Sequence, residues 1–162
     1  MNSAVELLQN RLITIPHSVQ PVTYGVQVVF PESEGSDYHF EASVDKHEEF
    51  LEVSAVLGER WKGLSPNCNY FWYRSFEVVG APAKDTVIRD WINTALILLG
   101  HDTKIKQTKG LWCWTFTCYY LDSGRWSRLS GNSALRHSNF KVPIIQQRIQ
   151  WYQAKALAAP AQ

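Results

Sequence analysis

Long apolar runs are absent from this sequence. The most hydrophobic stretch, Thr94 to Leu99, is far shorter than the roughly 20 residues a helix needs to cross a bilayer. The opening residues MNSAVELLQNRL have neither a basic start nor a continuous apolar segment, so no secretory leader is read there and a cytoplasmic location is expected. Cysteine is scarce and odd in number, three in 162 residues, which fits reduced thiols better than a disulfide framework. No repeat and no low-complexity linker is visible. A P-loop, a dinucleotide fingerprint, a nucleophile elbow, zinc-finger spacing and HExxH are all missing. These gaps lower the expectation of an enzyme, and neither a cofactor nor a bound metal is expected.

What is present is the composition of a soluble globular chain, 45% hydrophobic and 19% charged, long enough to form one domain over residues 1–162. A short N-terminal helix and a frayed tail from about residue 158 are expected at its ends. The net charge of +1 conceals an asymmetry. Residues 1–83 hold five Lys or Arg against eleven Asp or Glu, a balance of −6, whereas residues 84–162 hold eleven against four, a balance of +7. A basic surface for nucleic acid or for an acidic partner is one consequence such a split can have.

The most legible stretch is Thr103 to Leu129, which reads as a three-stranded antiparallel meander. Gly110 marks its first turn and Asp122, Ser123 and Gly124 its second, taken as a three-residue loop. Between them, alternation over Leu111–Leu121 places Trp112, Trp114, Phe116, Cys118 and Tyr120 on one face and Thr115, Thr117, Tyr119 and Leu121 on the other. With Leu121 opposite Arg125, the residues Trp126 and Arg128 fall on the tryptophan face, which is expected to be the core. The competing expectation is a platform on which bases stack, bordered by cations.

Elsewhere, Ser3 to Glu6 form a capping box for a helix to about Leu12. Tyr24–Phe30 and Asp37–Ser43 read as a hairpin after a loop bracketed by Pro16 and Pro21. Asp45 followed by Glu48 predicts a helix in which Phe50, Val53, Leu57 and Trp61 share a face and Glu49, Glu52 and Glu59 form an acidic outer side. Asn69–Val79 reads as a central aromatic strand. The stripe Val87, Ile88, Trp91, Ile92, Ala95, Leu96 and Leu99 predicts a helix capped by Asp85 and closed by Gly100, packed on the meander. Ser130–Lys141 reads as a loop, and Pro143 opens a predicted final helix carrying Ile145, Ile149 and Tyr152. The fold class is therefore α+β: a mainly antiparallel sheet of N-terminal hairpin, central strand and meander, covered by about three helices.

Three groups of side chains are candidates for chemistry. Asp37, His39 and Glu41 share one face of a strand, where a solvent-facing side is the simpler explanation and a metal would need a further donor such as His47. Cys113 and Cys118, five apart on a strand, point to opposite faces and cannot share a metal, and Cys68 reads as a surface-loop thiol. The basic set Lys104, Lys106, Lys109, Arg125, Arg128, Arg136 and Lys141, together with Trp126 and His137, is the strongest functional signal, because clustered cations attract phosphates. The expectation is a non-enzymatic module for single-stranded nucleic acid or RNA. The alternatives are a protein-interaction or inhibitor module and, less favoured, a small hydrolase or nuclease using His137 or the Asp37/His39/Glu41 face.

Overall fold

A computed structural model describes residues 3–31, 36–57, 70–79, 83–109, 114–133 and 146–152. In chain order the elements are α1 (Ser3–Arg11), β1 (Ser18–Val22), β2 (Gly25–Val29), β3 (Tyr38–Asp45), β4 (Phe50–Leu57), β5 (Tyr70–Glu77), α2 (Lys84–Gly100), β6 (Thr103–Lys109), β7 (Trp114–Asp122), β8 (Arg125–Leu129), β9 (Asn132–Ser133) and β10 (Gln146–Tyr152). The class is α+β with antiparallel pairing throughout, as the sequence predicts. The strands form two sheets rather than one, a six-stranded sheet in the order β1-β2-β3-β4-β5-β9 and a four-stranded sheet in the order β10-β6-β7-β8. Among the described residues there are two helices, not three.

The first sheet is built by alternation. In β3, Tyr38, Phe40, Ala42 and Val44 are buried, while His39, Glu41, Ser43 and Asp45 are half-buried on the other side. Register extends the inner face through Val28 opposite Ala42, Val53 opposite Ala42, and Trp72 opposite Ala55. Gly25, opposite Asp45 at the start of β2, has no room for a side chain because β3 passes too close: an added Cβ would lie 2.0 Å from the Val44 carbonyl oxygen.

The helices cover this inner face. Helix α1 buries Ala4, Val5 and Leu8, and its first turn is fixed by the Ala4 N–H donating to Glu48 Oε1 at 3.1 Å. Helix α2 buries Ile88, Trp91, Ile92, Ala95, Leu98 and Leu99 across β3, β4 and β5, so it covers the first sheet rather than the meander. Indole Nε1 of Trp91 donates to the Glu52 carbonyl at 3.0 Å, which satisfies its polar atom inside the core. Arg74 also points inward, donating to Thr94 Oγ1 at 3.3 Å and lying 4.8 Å from the Phe76 ring centre. The cap assignments for α2 differ from expectation: Ala83 precedes the first turn without a side-chain cap, and Gly100 is still helical, with His101 beyond it.

Two expected helices are strands. Phe50–Leu57 pairs with β3 and β5. Its apolar residues fit both periods because Leu51, Val53 and Ala55 are buried on one side while Ser54 and Val56 are buried on the other. The Asp45 capping signal is real but closes a turn: its carboxylate accepts from the N–H groups of His47, Glu49 and Phe50, with Glu48 at φ 56°. The final predicted helix is β10, paired with β6. As a strand it separates exposed Ile149 from buried Tyr152, which a helical stripe had put on one side. Strand β1 lies where only a loop was read; Pro21 suits it because it is an edge strand.

The second sheet docks on the first through Tyr38, Phe40 and Tyr152. The Tyr152 ring stacks on Tyr38 at 5.7 Å and meets Phe40 edge-on at 4.9 Å, and the Tyr38 hydroxyl is 2.5 Å from Thr103 Oγ1. Buried Ile105, Cys118 and Leu129 complete the seam. His101 ties the end of α2 to this sheet, its Nδ1 lying 2.8 Å from the Leu121 carbonyl oxygen. None of the described helices is long and apolar enough to cross a membrane.

Candidate nucleic-acid interface

The turn between β7 and β8 decides which side chains meet. It is a two-residue hairpin, with Ser123 at φ 48° and Gly124 at φ 80°, the left-handed pair that matches the twist of the flanking strands. Asp122 therefore pairs with Arg125, Leu121 with Trp126, Tyr119 with Arg128 and Cys118 with Leu129. The three-residue loop expected from the sequence placed Leu121 opposite Arg125. One residue of register moves a whole strand to the other face. Trp126 and Arg128 thus leave the Cys118 side, which is the core, and join Tyr119 and Leu121 on the outer face.

Strand β6 adds its cations to the same face. Thr103, Ile105 and Gln107 are buried, so Lys104 and Lys106 project outward. Lys104 lies opposite Tyr119 and Lys106 opposite Thr117, while exposed Ile149 of β10 pairs with Lys106 from the other side. Across the three strands this gives a row of Lys104, Tyr119 and Arg128, flanked by Lys106 and Thr117 on one side and by Leu121 and Trp126 on the other. The ammonium of Lys104 sits 3.9 Å from the Trp126 ring centre and 5.7 Å from that of Tyr119, close enough for attraction to both rings. The outward positions 104, 106, 108, 115, 117, 119, 121, 126 and 128 carry three cations, and exposed Asp102, whose carbonyl accepts from the Leu121 N–H, lies at the edge of the same side.

Of the residues expected at the site, Lys104, Lys106, Trp126 and Arg128 come together. Arg125 is exposed at the hairpin tip beside Asp122. Lys109 ends β6 opposite Trp114. Arg136, His137 and Lys141 lie outside the described residues, as do Cys68, Cys113 and Trp112. Tyr119 was missed because the assumed loop length put it on the opposite face from Trp126, and a Ser-Gly pair fits a two- or a three-residue loop.

The other candidates have local explanations. His39 Nε2 lies 3.1 Å from Glu41 Oε1, and the second oxygen of Glu41 accepts from Gln27 Nε2, so this face is internally paired. Among the described residues no group of three or more His, Cys, Asp or Glu is arranged to hold a metal ion. Cys118 is sealed in the seam and burial pushes its thiol pKa far up, which makes it a poor nucleophile. Comparison with family models, with curated proteins and with solved structures finds no match to this chain. The outer face of the second sheet has to be interpreted from its own chemistry.

Proposed function

We propose that the chain is a binding module for single-stranded nucleic acid, engaged through the outer face of β6, β7 and β8. The observation that carries this reading is the grouping of Trp126 and Tyr119 with Lys104, Lys106 and Arg128 on one face of the sheet. Bases have a π-face whatever their sequence, so rings on a sheet bind them with little selectivity, and neighbouring cations take the phosphates. Tyr119 and Trp126 occupy diagonal positions about 7 Å apart, a separation suited to two bases splayed out of a stack. A duplex keeps its bases stacked inside and offers such rings nothing to pair with.

Lys104 has two roles in this reading. Without a ligand its ammonium rests on the Trp126 ring; with one, it turns to a phosphate and leaves the ring to a base. The contact given up is worth about 0.5–1 kcal/mol at an exposed site, less than the roughly 1–3 kcal/mol of a base–aromatic stack.

The test is fluorescence anisotropy of labelled ten-nucleotide oligo(dT), oligo(U) and a duplex, titrated with protein over a range of salt. Single strands should bind in preference to the duplex, with affinity falling as salt rises. Combining Lys104→Ala, Lys106→Ala and Arg128→Ala should reduce the slope of log K against log salt by about 2, from three phosphate contacts on a single strand. Trp126→Ala should lower affinity by about 1–3 kcal/mol with the slope kept. No binding at low salt, or affinity indifferent to both variants, overturns the proposal.

A further inference from the structure

The acidic half of the chain has a cleft of its own. The β1–β2 turn and the start of β4 enclose a cleft of about 250 Å³ lined by Tyr24, Ser43, Asp45, Phe50, Leu51 and Glu52. Two of its walls are rings left 54% exposed, Tyr24 and Phe50, in a protein whose Phe30, Tyr38, Phe40, Trp72 and Trp91 are fully sealed. Alternation along β4 puts Phe50 and Glu52 on the same side, and register sets Glu52 between Ser43 of β3 and Ser75 of β5.

The two carboxylates in this cleft differ in what they lack. Asp45 is engaged by three backbone N–H groups of its own turn. Glu52 is half-buried and accepts a hydrogen bond from the Ser75 hydroxyl at 3.3 Å, but among the described residues it has no Lys, Arg or His partner. Burial raises its pKa, the Ser75 hydroxyl opposes that, and the nearby charge of Glu41 adds to it. A desolvated carboxylate without a counter-charge costs stability. Here it lines a cleft that also holds two exposed rings, where a ligand can supply a counter-charge.

We propose that this cleft binds a guanidinium group, supplied by an arginine side chain of a basic peptide, with its plane against Phe50 or Tyr24 and its N–H fork on Glu52. Arginine fits better than lysine because its flat, weakly hydrated head can stack on a ring and donate two parallel bonds to a carboxylate at once. A neutral sugar would use the rings but leave Glu52 uncompensated. A metal ion would use the carboxylates but not the rings. The inference is independent of oligonucleotide binding, since the two surfaces belong to different sheets.

The test is an NMR titration of the full-length chain labelled with ¹⁵N, using capped Gly-Arg-Gly, Gly-Lys-Gly and Gly-citrulline-Gly peptides and methylguanidinium. Saturable shifts are expected at the amides of Ser43, Phe50 and Glu52, strongest with arginine, weaker with lysine and absent with citrulline, which keeps the shape and loses the charge. Glu52→Gln should weaken arginine binding roughly tenfold, as for loss of one charge-assisted pair, and binding to the unsubstituted protein should weaken as acid protonates Glu52. Should Glu52→Gln fail to fold, removing both rings by Tyr24→Ala with Phe50→Ala must give the same loss. Equal binding of citrulline, no saturable shift at these amides, or full affinity in the Glu52→Gln protein overturns the proposal. Methylguanidinium binding as tightly as the peptide would overturn the peptide as the source of the group.

Discussion

Asp45 illustrates how a single side chain can be read correctly and its consequence misread. An Asp followed three residues later by an acidic residue promises a free N–H to cap, and Asp45 does cap: its oxygens lie 3.1, 2.7 and 2.7 Å from the N–H groups of His47, Glu49 and Phe50. The chain then enters β4 rather than a helix, because the strand finds partners on both sides. Partial burial opposes the charged form of Asp45, but the three donors outweigh it and hold its pKa below the ordinary 3.8. A carboxyl whose folded pKa is depressed contributes stability above its unfolded value and loses it as pH falls through the folded one. Asp45→Ala should therefore cost about 1 kcal/mol at neutral pH, as for other lost caps. Urea unfolding from pH 7 down to pH 2 should show the gap between variant and parent closing on the acid side.

At the scale of elements, the hairpin between β7 and β8 has the widest consequence. Alternation along β7 was legible from its residues, and so was the existence of a turn at Asp122–Gly124. The number of residues in the loop was not, since both two- and three-residue loops accept glycine at the position after Ser123. That choice determines whether Trp126 belongs to the core or to the outer face. Asn-Gly is the favoured pair for the conformation at φ 48° and 80°. Ser123→Asn should thus raise stability by about 0.5 kcal/mol, measured by thermal unfolding, with oligonucleotide affinity unchanged. A fall in stability would mean that the hairpin prefers a different register in solution.

At the scale of the whole molecule, the described residues form two sheets that meet through Tyr38, Phe40 and Tyr152, with Ile105, Cys118 and Leu129 beside them. Tyr152, at the end of the outermost strand of the second sheet, reaches across to Tyr38 and Phe40. Removing it with Tyr152→Ala should cost about 3 kcal/mol as a large buried aromatic. The loss should be uneven: amide hydrogen exchange should speed up in β6, β7 and β8 more than in β2, β3 and β4, which keep the cover of α1 and α2. Uniform loss of protection would show that the two sheets unfold as one cooperative unit.

Sequence alone determined the fold class, α2, the strands Gly25–Val29 and Tyr38–Asp45, the aromatic strand β5 and the three strands of the meander, because most of these have one dominant periodicity and β5 is marked by its run of aromatic residues. It also supplied the split of charge between the two halves. Tertiary structure decided the rest: that Phe50–Leu57 and Gln146–Tyr152 are strands, that the strands divide into two sheets, and that Trp126 faces outward beside Lys104. Residues buried on two sides carry no distinctive period, an edge strand takes its conformation from the neighbour it pairs with, and a hairpin's register depends on backbone angles that several short sequences can adopt.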